Sequence, residues 1–425
     1  MAQQMSPFSY PAYRHYWLAR LSSTIAQNSM IVVIGWQVYD IARRTMPPGE
    51  AALQLGIVGL LQFLPLLVLT LISGWVADRL DRRWIVRTTA ALEVLCAATL
   101  AILAWQGTTT LHAMFAVATL LGVARAFAGP AMQALSPNLV PREILPSAIA
   151  MSAIAWQVGA VFGPPIGGYL YAIHAYVPFA TSAALFGITC VMFLTIGPVP
   201  RIALDKARRP WRQMIDGLAY MRQNRLVLGA ISLDLFAVLL GGATAMLPIY
   251  ARDILHVGAS GLGHLRAAPA LGSAAVAIWF ARRPLRNDVG LKLLLAVALF
   301  GAATVVFGFS RWLPLSLACL AILGAADMVS VFVRQTLIQL YTPDDMRGRV
   351  GAVSTLFISG SNELGEAESG FLAAAIGPVA AVVAGGIGTI AVAILWAKLF
   401  PVILRARTFA VPEPTHNVPA QEKAA

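Results

Sequence analysis

Apolar residues fall along this chain in long continuous blocks separated by short polar breaks. Twelve blocks are legible: 18–39, 53–77, 84–105, 111–132, 148–172, 177–197, 226–249, 263–281, 291–310, 313–335, 350–374 and 379–400. A helix needs about 20 apolar residues to cross a hydrocarbon core of about 30 Å. Inside lipid, only helices and closed barrels satisfy their own backbone polar groups. Barrel strands alternate apolar and polar positions, and these blocks do not. The pattern predicts an all-α membrane protein with twelve transmembrane helices. The longest polar break, 198–225, follows the sixth block. It predicts an N-terminal six-helix bundle over 1–197, a cytoplasmic linker over 198–225 and a C-terminal six-helix bundle over 226–403. The proline-bearing remainder, 404–425, reads as a disordered cytoplasmic tail. The first block is too long for the apolar core of a cleavable signal peptide.

The halves share special positions. Pro141 and Pro343 each follow the fourth block of their half, 202 residues apart. At that offset Gly163 meets Gly365, Gly168 meets Gly370 and Arg125 meets Asp327. One offset joining several unusual residues predicts two parallel repeats related by an axis along the membrane normal.

Composition and charge narrow the class. Only 12% of the 425 residues are charged and 58% are hydrophobic. A soluble domain carries about 25% charged residues, so a soluble enzyme is a poor reading. A net charge of +12 would suggest nucleic acid in a soluble protein, so its placement decides. With the N-terminus in the cytoplasm, 24 of the 31 basic residues fall on cytoplasmic segments. Five (Arg43, Arg44, Arg252, Arg266 and Arg311) fall on outer loops, and Arg125 and Arg334 lie inside helices. This positive-inside bias places both termini in the cytoplasm. Spread over seven segments, the basic residues give no nucleic-acid surface. Cys96, Cys190 and Cys319 lie singly in apolar blocks, with no disulfide framework or metal-ligand spacing.

Two glycine motifs carry a family resemblance. Residues 74–83, Gly-Trp-Val-Ala-Asp-Arg-Leu-Asp-Arg-Arg, join spans 2 and 3. They resemble the cytoplasmic signature G-x-x-x-D-R-x-x-R-R of the major facilitator superfamily. Gly74 permits close helix approach, and Asp78 can accept hydrogen bonds at a helix N-terminus. The resemblance implies that this helix is span 11. It also implies that Arg79, Arg82 and Arg83 complete a charge latch of the outward-open state. From the residues alone, the segment also reads as a solvated basic loop. In span 5, Gly159, Gly163, Pro164, Gly167 and Gly168 resemble the g-x-x-x-G-P-x-x-G-G motif of antiporters in that superfamily. Small-residue packing alone would explain the same glycines.

Charged residues inside spans are the remaining candidates, since burial in lipid is costly. Arg125 opens Arg-Ala-Phe-Ala-Gly in span 4, similar to the family pattern R-x-x-q-G with Ala128 in place of glutamine. It reads either as tuning a carboxylate or contacting an anionic group, or as a static lock with Asp327 in span 10. Arg334, seven residues after Asp327, reads as its local partner or as reaching to the cytoplasm. Glu363 and Glu366 are i, i+3 neighbours in span 11, near Glu368. Like charges there favour a retained proton, unless the cluster is a water-exposed patch. Glu93 and Asp234 are further candidates. Together with 341–350, span 11 resembles the enterobactin-exporter-like branch of the superfamily, which exports siderophores and drugs.

No catalytic signature, cofactor motif or metal cluster emerges. None of the four lysines follows a glycine, so no phosphate-binding loop is present. The Gly-x-Gly pattern at 386–391 lies in a span without a preceding strand and reads as helix packing. The expectation is a proton-coupled antiporter of the bacterial inner membrane, acting as a monomer. It would export a small amphipathic siderophore or drug by alternating access, with protons and the lipid bilayer as its other partners. A transport-inactive receptor or scaffold of the same fold, and a proton-coupled importer, remain open alternatives.

Overall fold

The computed structural model describes residues 6–198, 210–283, 285, 287–343 and 346–409. Within the helices, the side chains of 70, 71, 74, 75, 77–79, 134, 142, 210–214, 348, 352, 355, 356, 359 and 363 are not described. The predicted latch residues Gly74, Asp78 and Arg79, and the candidate Glu363, fall among these.

The described chain is helical. Its helices are α1 (Pro11–Ala42), α2 (Pro48–Arg79), α3 (Arg82–Trp105), α4 (Leu111–Leu135), α5 (Leu145–Ile173) and α6 (Val177–Thr195). A shorter α7 (Pro210–Gln223) follows. Then come α8 (Arg225–Leu240), α9 (Leu247–Ile249), α10 (Gly258–Arg282), α11 (Val289–Phe309), α12 (Leu313–Tyr341), α13 (Arg347–Ile376), α14 (Pro378–Leu399) and α15 (Pro401–Arg405). Their starts are written in the sequence. Asp81, Thr110 and Asn224 cap α3, α4 and α8 by accepting backbone N–H bonds. Proline occupies the first turn of α1, α2, α5, α6, α12 and α14, where its missing N–H costs nothing. Gly377, at φ 89°, separates α13 from α14. Only glycine adopts that conformation without strain.

Nine helical segments among the described residues are long and apolar enough to cross a membrane. The long helices α1, α10 and α13 are not among them. They are interrupted by polar residues such as Gln27 and Asn28, His264 and Arg266, and Glu366 and Glu368.

The seventh apolar block departs from the sequence expectation. It is not one helix. α8 ends at Leu240, and the chain continues through a tight turn at Ala243–Met246, α9 and a wide π turn at Tyr250–Ile254. Gly241 and Gly242 lower the cost of breaking the helix. A side chain at Gly242 would meet the Gly365 carbonyl and Ser369 of α13.

Packing repeats between the halves. In the first, α1 packs on α5 and α6, α3 on α4 and α6, and α2 on α4. In the second, α8 packs on α13 and α14, α11 on α12 and α14, and α10 on α12. The halves meet through α2 against α13 and α5 against α10. The glycines at offset 202 sit where this symmetry needs them. Gly163 closes on α1 at Ile25 and Asn28, and Gly365 closes on α8 at Val238 and Leu239. Gly168 meets Ala259 and Gly263 of α10, while Gly370 meets Gly56 of α2. Each of the latter pair is a backbone contact across the halves. Gly122 and Gly324, also 202 apart, close on Gln62 and Pro269.

Candidate functional site

Among the described residues, the halves meet along the α2–α13 and α5–α10 seams. We call the end with residues 6–10 and α15 the termini end, and the opposite one the far end. A Cβ built on Gly56 of α2 would lie 3.0 Å from the Ala367 carbonyl. One on Gly59 has 3.5 Å to Ala367, and one on Gly360 has 3.8 Å to Phe63. On this seam the closest backbone approach is that of Gly370 to Gly56. On the other seam, Gln157 donates to the Ala270 carbonyl at 3.2 Å, and Tyr169 hydrogen-bonds His264 at 2.7 Å.

An ion-pair lattice ties the halves at the far end. Asp253, in the π turn, accepts from Tyr39 Oη at 2.5 Å and from Arg43 Nε at 3.0 Å. Asp40 pairs with Arg252 at 2.9 Å and with Arg44 at 3.1 Å. The Asp253 hydrogen bond holds the Arg43 pKa above its ordinary value, so this cation keeps its charge. Of the arginines expected on outer loops, Arg43 and Arg44 follow the end of α1, and Arg252 lies within the π turn.

Between the halves lies a cavity of about 160 Å³. Its polar lining is Gln62 and Arg125 from the first half, and Arg266 and Glu366 from the second. Ile31, Val32, Leu55, Val58, Pro248 and Leu262 supply apolar walls. Arg125 Nη1 donates to Gln62 at 3.4 Å. Arg266 donates from Nη1 to the Thr244 carbonyl at 2.8 Å and from Nη2 to Glu366 at 3.1 Å.

Several expected pairings are corrected. Arg125 and Asp327 form no lock: Arg125 reaches Gln62, and Asp327 makes no ion pair or hydrogen bond with described residues. Arg334 is neither paired with Asp327 nor directed to the termini end. It is 2% exposed and ion-paired with Asp234 of α8, because the nearest carboxylate in space lies on another helix. Arg266 is not on a loop. α10 begins at Gly258, which puts Arg266 two turns inside the helix. Sequence reasoning missed it as a site residue, although an arginine within the 263–281 block was the available signal.

Other candidates fall in separate places. Glu93 of α3 is buried and accepts from Gln27 Nε2 at 2.9 Å, and Gln27 also contacts Ser23. Gly159, Gly163 and Gly167 pack α5 on Thr24, Asn28 and Ser29 of α1. Pro164 and Pro165 present backbone to Gly263 of α10. Arg83 bonds Asp81 at 2.6 Å, and with Arg87 reaches the Ile196 carbonyl beyond α6. Arg82 begins α3.

Similarity to other proteins agrees with this architecture. The profile of a family described as transmembrane secretion effector matches residues 2–421. Enterobactin exporter EntS of Escherichia coli O1:K1 / APEC is 27% identical over 404 residues, covering 94% of each chain. EntS of Shigella boydii serotype 18 is 26% identical over 402 residues, with 94% of each covered. The nucleoside transporter NupG has a TM-score of 0.73 at 14% identity, covering 92% of this chain and 100% of its own. A peptide transporter POT in complex with sulfate also has a TM-score of 0.73, at 12% identity, covering 94% and 96%. At such identities the structural likeness shows the fold, which is that of major facilitator transporters.

Proposed function

The chain belongs to the transmembrane secretion effector family, and from that premise we propose that it exports a small amphipathic molecule across a bacterial inner membrane in exchange for protons. The observation that carries this reading is the cavity between the halves, lined by Gln62 and Arg125 from one and by Arg266 and Glu366 from the other. At the far end of that cavity the Asp40, Arg43, Arg252 and Asp253 lattice and the glycine seams tie the halves together. This is the geometry expected of one state in alternating access. The concentration of basic residues at the termini end assigns that end to the cytoplasm. The cavity would then be loaded from the cytoplasm, which suits an exporter. Residues 1–197 and 226–403 would rock as two six-helix halves, joined by the 198–225 linker and followed by a cytoplasmic tail.

The likeness to enterobactin exporters supports a siderophore as cargo, with a drug of similar character as a variant of the same reading. Proton coupling rests on carboxylates placed inside the spans. Glu93 bonds Gln27 of α1, Asp327 lies unpaired among described residues, and Glu366 lines the cavity. The carboxylates of Glu363 and Asp234 belong to the same set, the latter held by Arg334. Asp78 with Arg79, Arg82 and Arg83 would latch the opposite, outward-open state. A monomer suffices for this cycle, because both halves lie in one chain.

Uptake of a radiolabelled siderophore into inverted vesicles, with and without an imposed pH gradient, tests the reading. Accumulation driven by the gradient is expected. Uptake that ignores the gradient would remove proton coupling, and absence of any uptake across a panel of siderophores and drugs would remove export.

A further inference from the structure

We propose that Arg266 is the docking point for an anionic group of the cargo, a carboxylate beside an apolar portion of single-ring size that enters the cavity, and that this group binds by displacing Glu366. This rests on the transport reading above and names the chemistry that the cavity selects.

Two ion pairs within the spans of the second half, Arg334–Asp234 and Arg266–Glu366, are built differently. Arg334 and Asp234 are packed over, with side chains 2% and 7% exposed. That is an ion pair kept for the fold. Arg266 and Glu366 are 21% and 30% exposed, face a cavity, and touch through one nitrogen and one oxygen. A guanidinium carries five N–H donors in a planar fork, and the described partners of Arg266 use only two of them. A two-oxygen anion can take the fork side-on, with roughly twice the strength of a neutral hydrogen bond.

The two partners are also not equally replaceable. Arg266 has a second anchor, the Thr244 carbonyl at 2.8 Å. That carbonyl belongs to the turn created by the break after α8, so the guanidinium stays aimed when Glu366 leaves. Among described residues Glu366 is held only by Arg266. Glu366 is therefore the group that gives way, which selects an anion rather than a cation. Once released, it faces Arg125 of the other half across the same cavity.

Size and lining describe the apolar portion that enters. The cavity measures about 160 Å³. An engineered apolar cavity of about 150 Å³ is known to hold benzene. Val58, Leu55, Leu262 and Ile31 would flank the ring.

Benzoate is the direct probe, with benzamide and benzylamine as its neutral and cationic counterparts. The purified full chain in detergent is titrated with each at constant ionic strength, and the thermal unfolding midpoint is followed, since a ligand of the folded state raises it. Benzoate alone should give a saturable rise. Glu366→Gln should bind benzoate up to about fivefold more tightly, the equivalent of losing a partly exposed ion pair. Arg266→Gln should bind it at least about tenfold more weakly, as expected for losing a charged hydrogen-bond donor. Arg266→Lys keeps the charge without the fork and should fall between. Gel filtration and the ligand-free midpoint establish that each variant is folded, and Glu366→Gln and Arg266→Lys carry the test if Arg266→Gln is not. No shift with benzoate, an equal or larger shift with benzylamine, or no tightening in Glu366→Gln would overturn the proposal. Siderophore flux without benzoate binding would remove this site and leave the export reading. Benzoate binding without flux would do the reverse.

Discussion

Removing Asp253 should unlock the far end. Its carboxylate accepts from Tyr39 at 2.5 Å and from Arg43 at 3.0 Å, both on α1, while Asp253 itself lies in the second half. In an alternating-access cycle these contacts would be lost when the far end opens. A hydrogen bond to a charged group contributes about 1.5–3 kcal/mol. An ion pair as exposed as Arg43–Asp253, at 26% and 24%, contributes roughly 0.2–1 kcal/mol. Taking the lower ends because water reaches the site, Asp253→Ala should cost the closed state roughly 2 kcal/mol, and each 1.4 kcal/mol is tenfold. The far-end-open population should rise roughly 30-fold. Val58 lines the cavity and is 5% exposed. In a background with Cys96, Cys190 and Cys319 replaced by alanine, a Val58→Cys reporter can be labelled by a membrane-impermeant maleimide from the far-end side. Its labelling rate should rise with that population. A rate unchanged from the parent would show that the lattice does not hold the gate.

Three further outcomes follow from the same geometry. Gly168→Ala drives a methyl into the Ala259 carbonyl across the halves, an overpacking cost of about 1–3 kcal/mol; the Val58→Cys labelling rate should rise, whereas Gly187→Ala, which meets open space, should leave it unchanged. Asp234→Asn leaves Arg334 buried without its counter-ion, a loss of about 3–5 kcal/mol; the melting midpoint in detergent should fall sharply, while the double change Asp234→Leu with Arg334→Met should restore most of it. Glu93→Gln removes the buried carboxylate held by Gln27; substrate counterflow should persist while uptake driven by a pH gradient is lost, and gradient-driven uptake at the parental rate would exclude Glu93 as the proton carrier.

Backbone packing was more legible in the sequence than side-chain pairing. Gly168 and Gly370 stand at the two cross-half seams because only a residue without a side chain lets two backbones meet there. That requirement is local, so it leaves a mark at a fixed offset. Gly122 and Gly324 carried the same mark. Ion pairs leave no such mark. The partner of Arg334 is 100 residues away in the chain, and helical spacing from Asp327 could not reveal it. Arg266 went unrecognised because the helix start, not the residue, decided its depth. The break in the seventh block was signalled by Gly241 and Gly242, but hydropathy alone reads through such a pair.

The symmetry of the glycines does not extend to the charges. At the offset that joins Gly168 to Gly370, Arg334 corresponds to Met132 and Glu366 to Pro164. Neither the Arg334–Asp234 pair nor the Arg266–Glu366 pair can therefore have a mirror image at those positions. The first half instead carries the Glu93–Gln27 contact and the Arg125–Gln62 contact. A rocking mechanism needs two seams of equal closeness, so mutation at either glycine is opposed in the same way. Recognition and coupling have no such need, since a cargo with one anionic group touches the two walls differently. Under the proposed export cycle, the seams would answer to the motion and the charges to the cargo. Swapping Gly168 and Gly370 for alanine should consequently give similar shifts in gating, whereas exchanging charges between halves should leave gating intact and change what is bound.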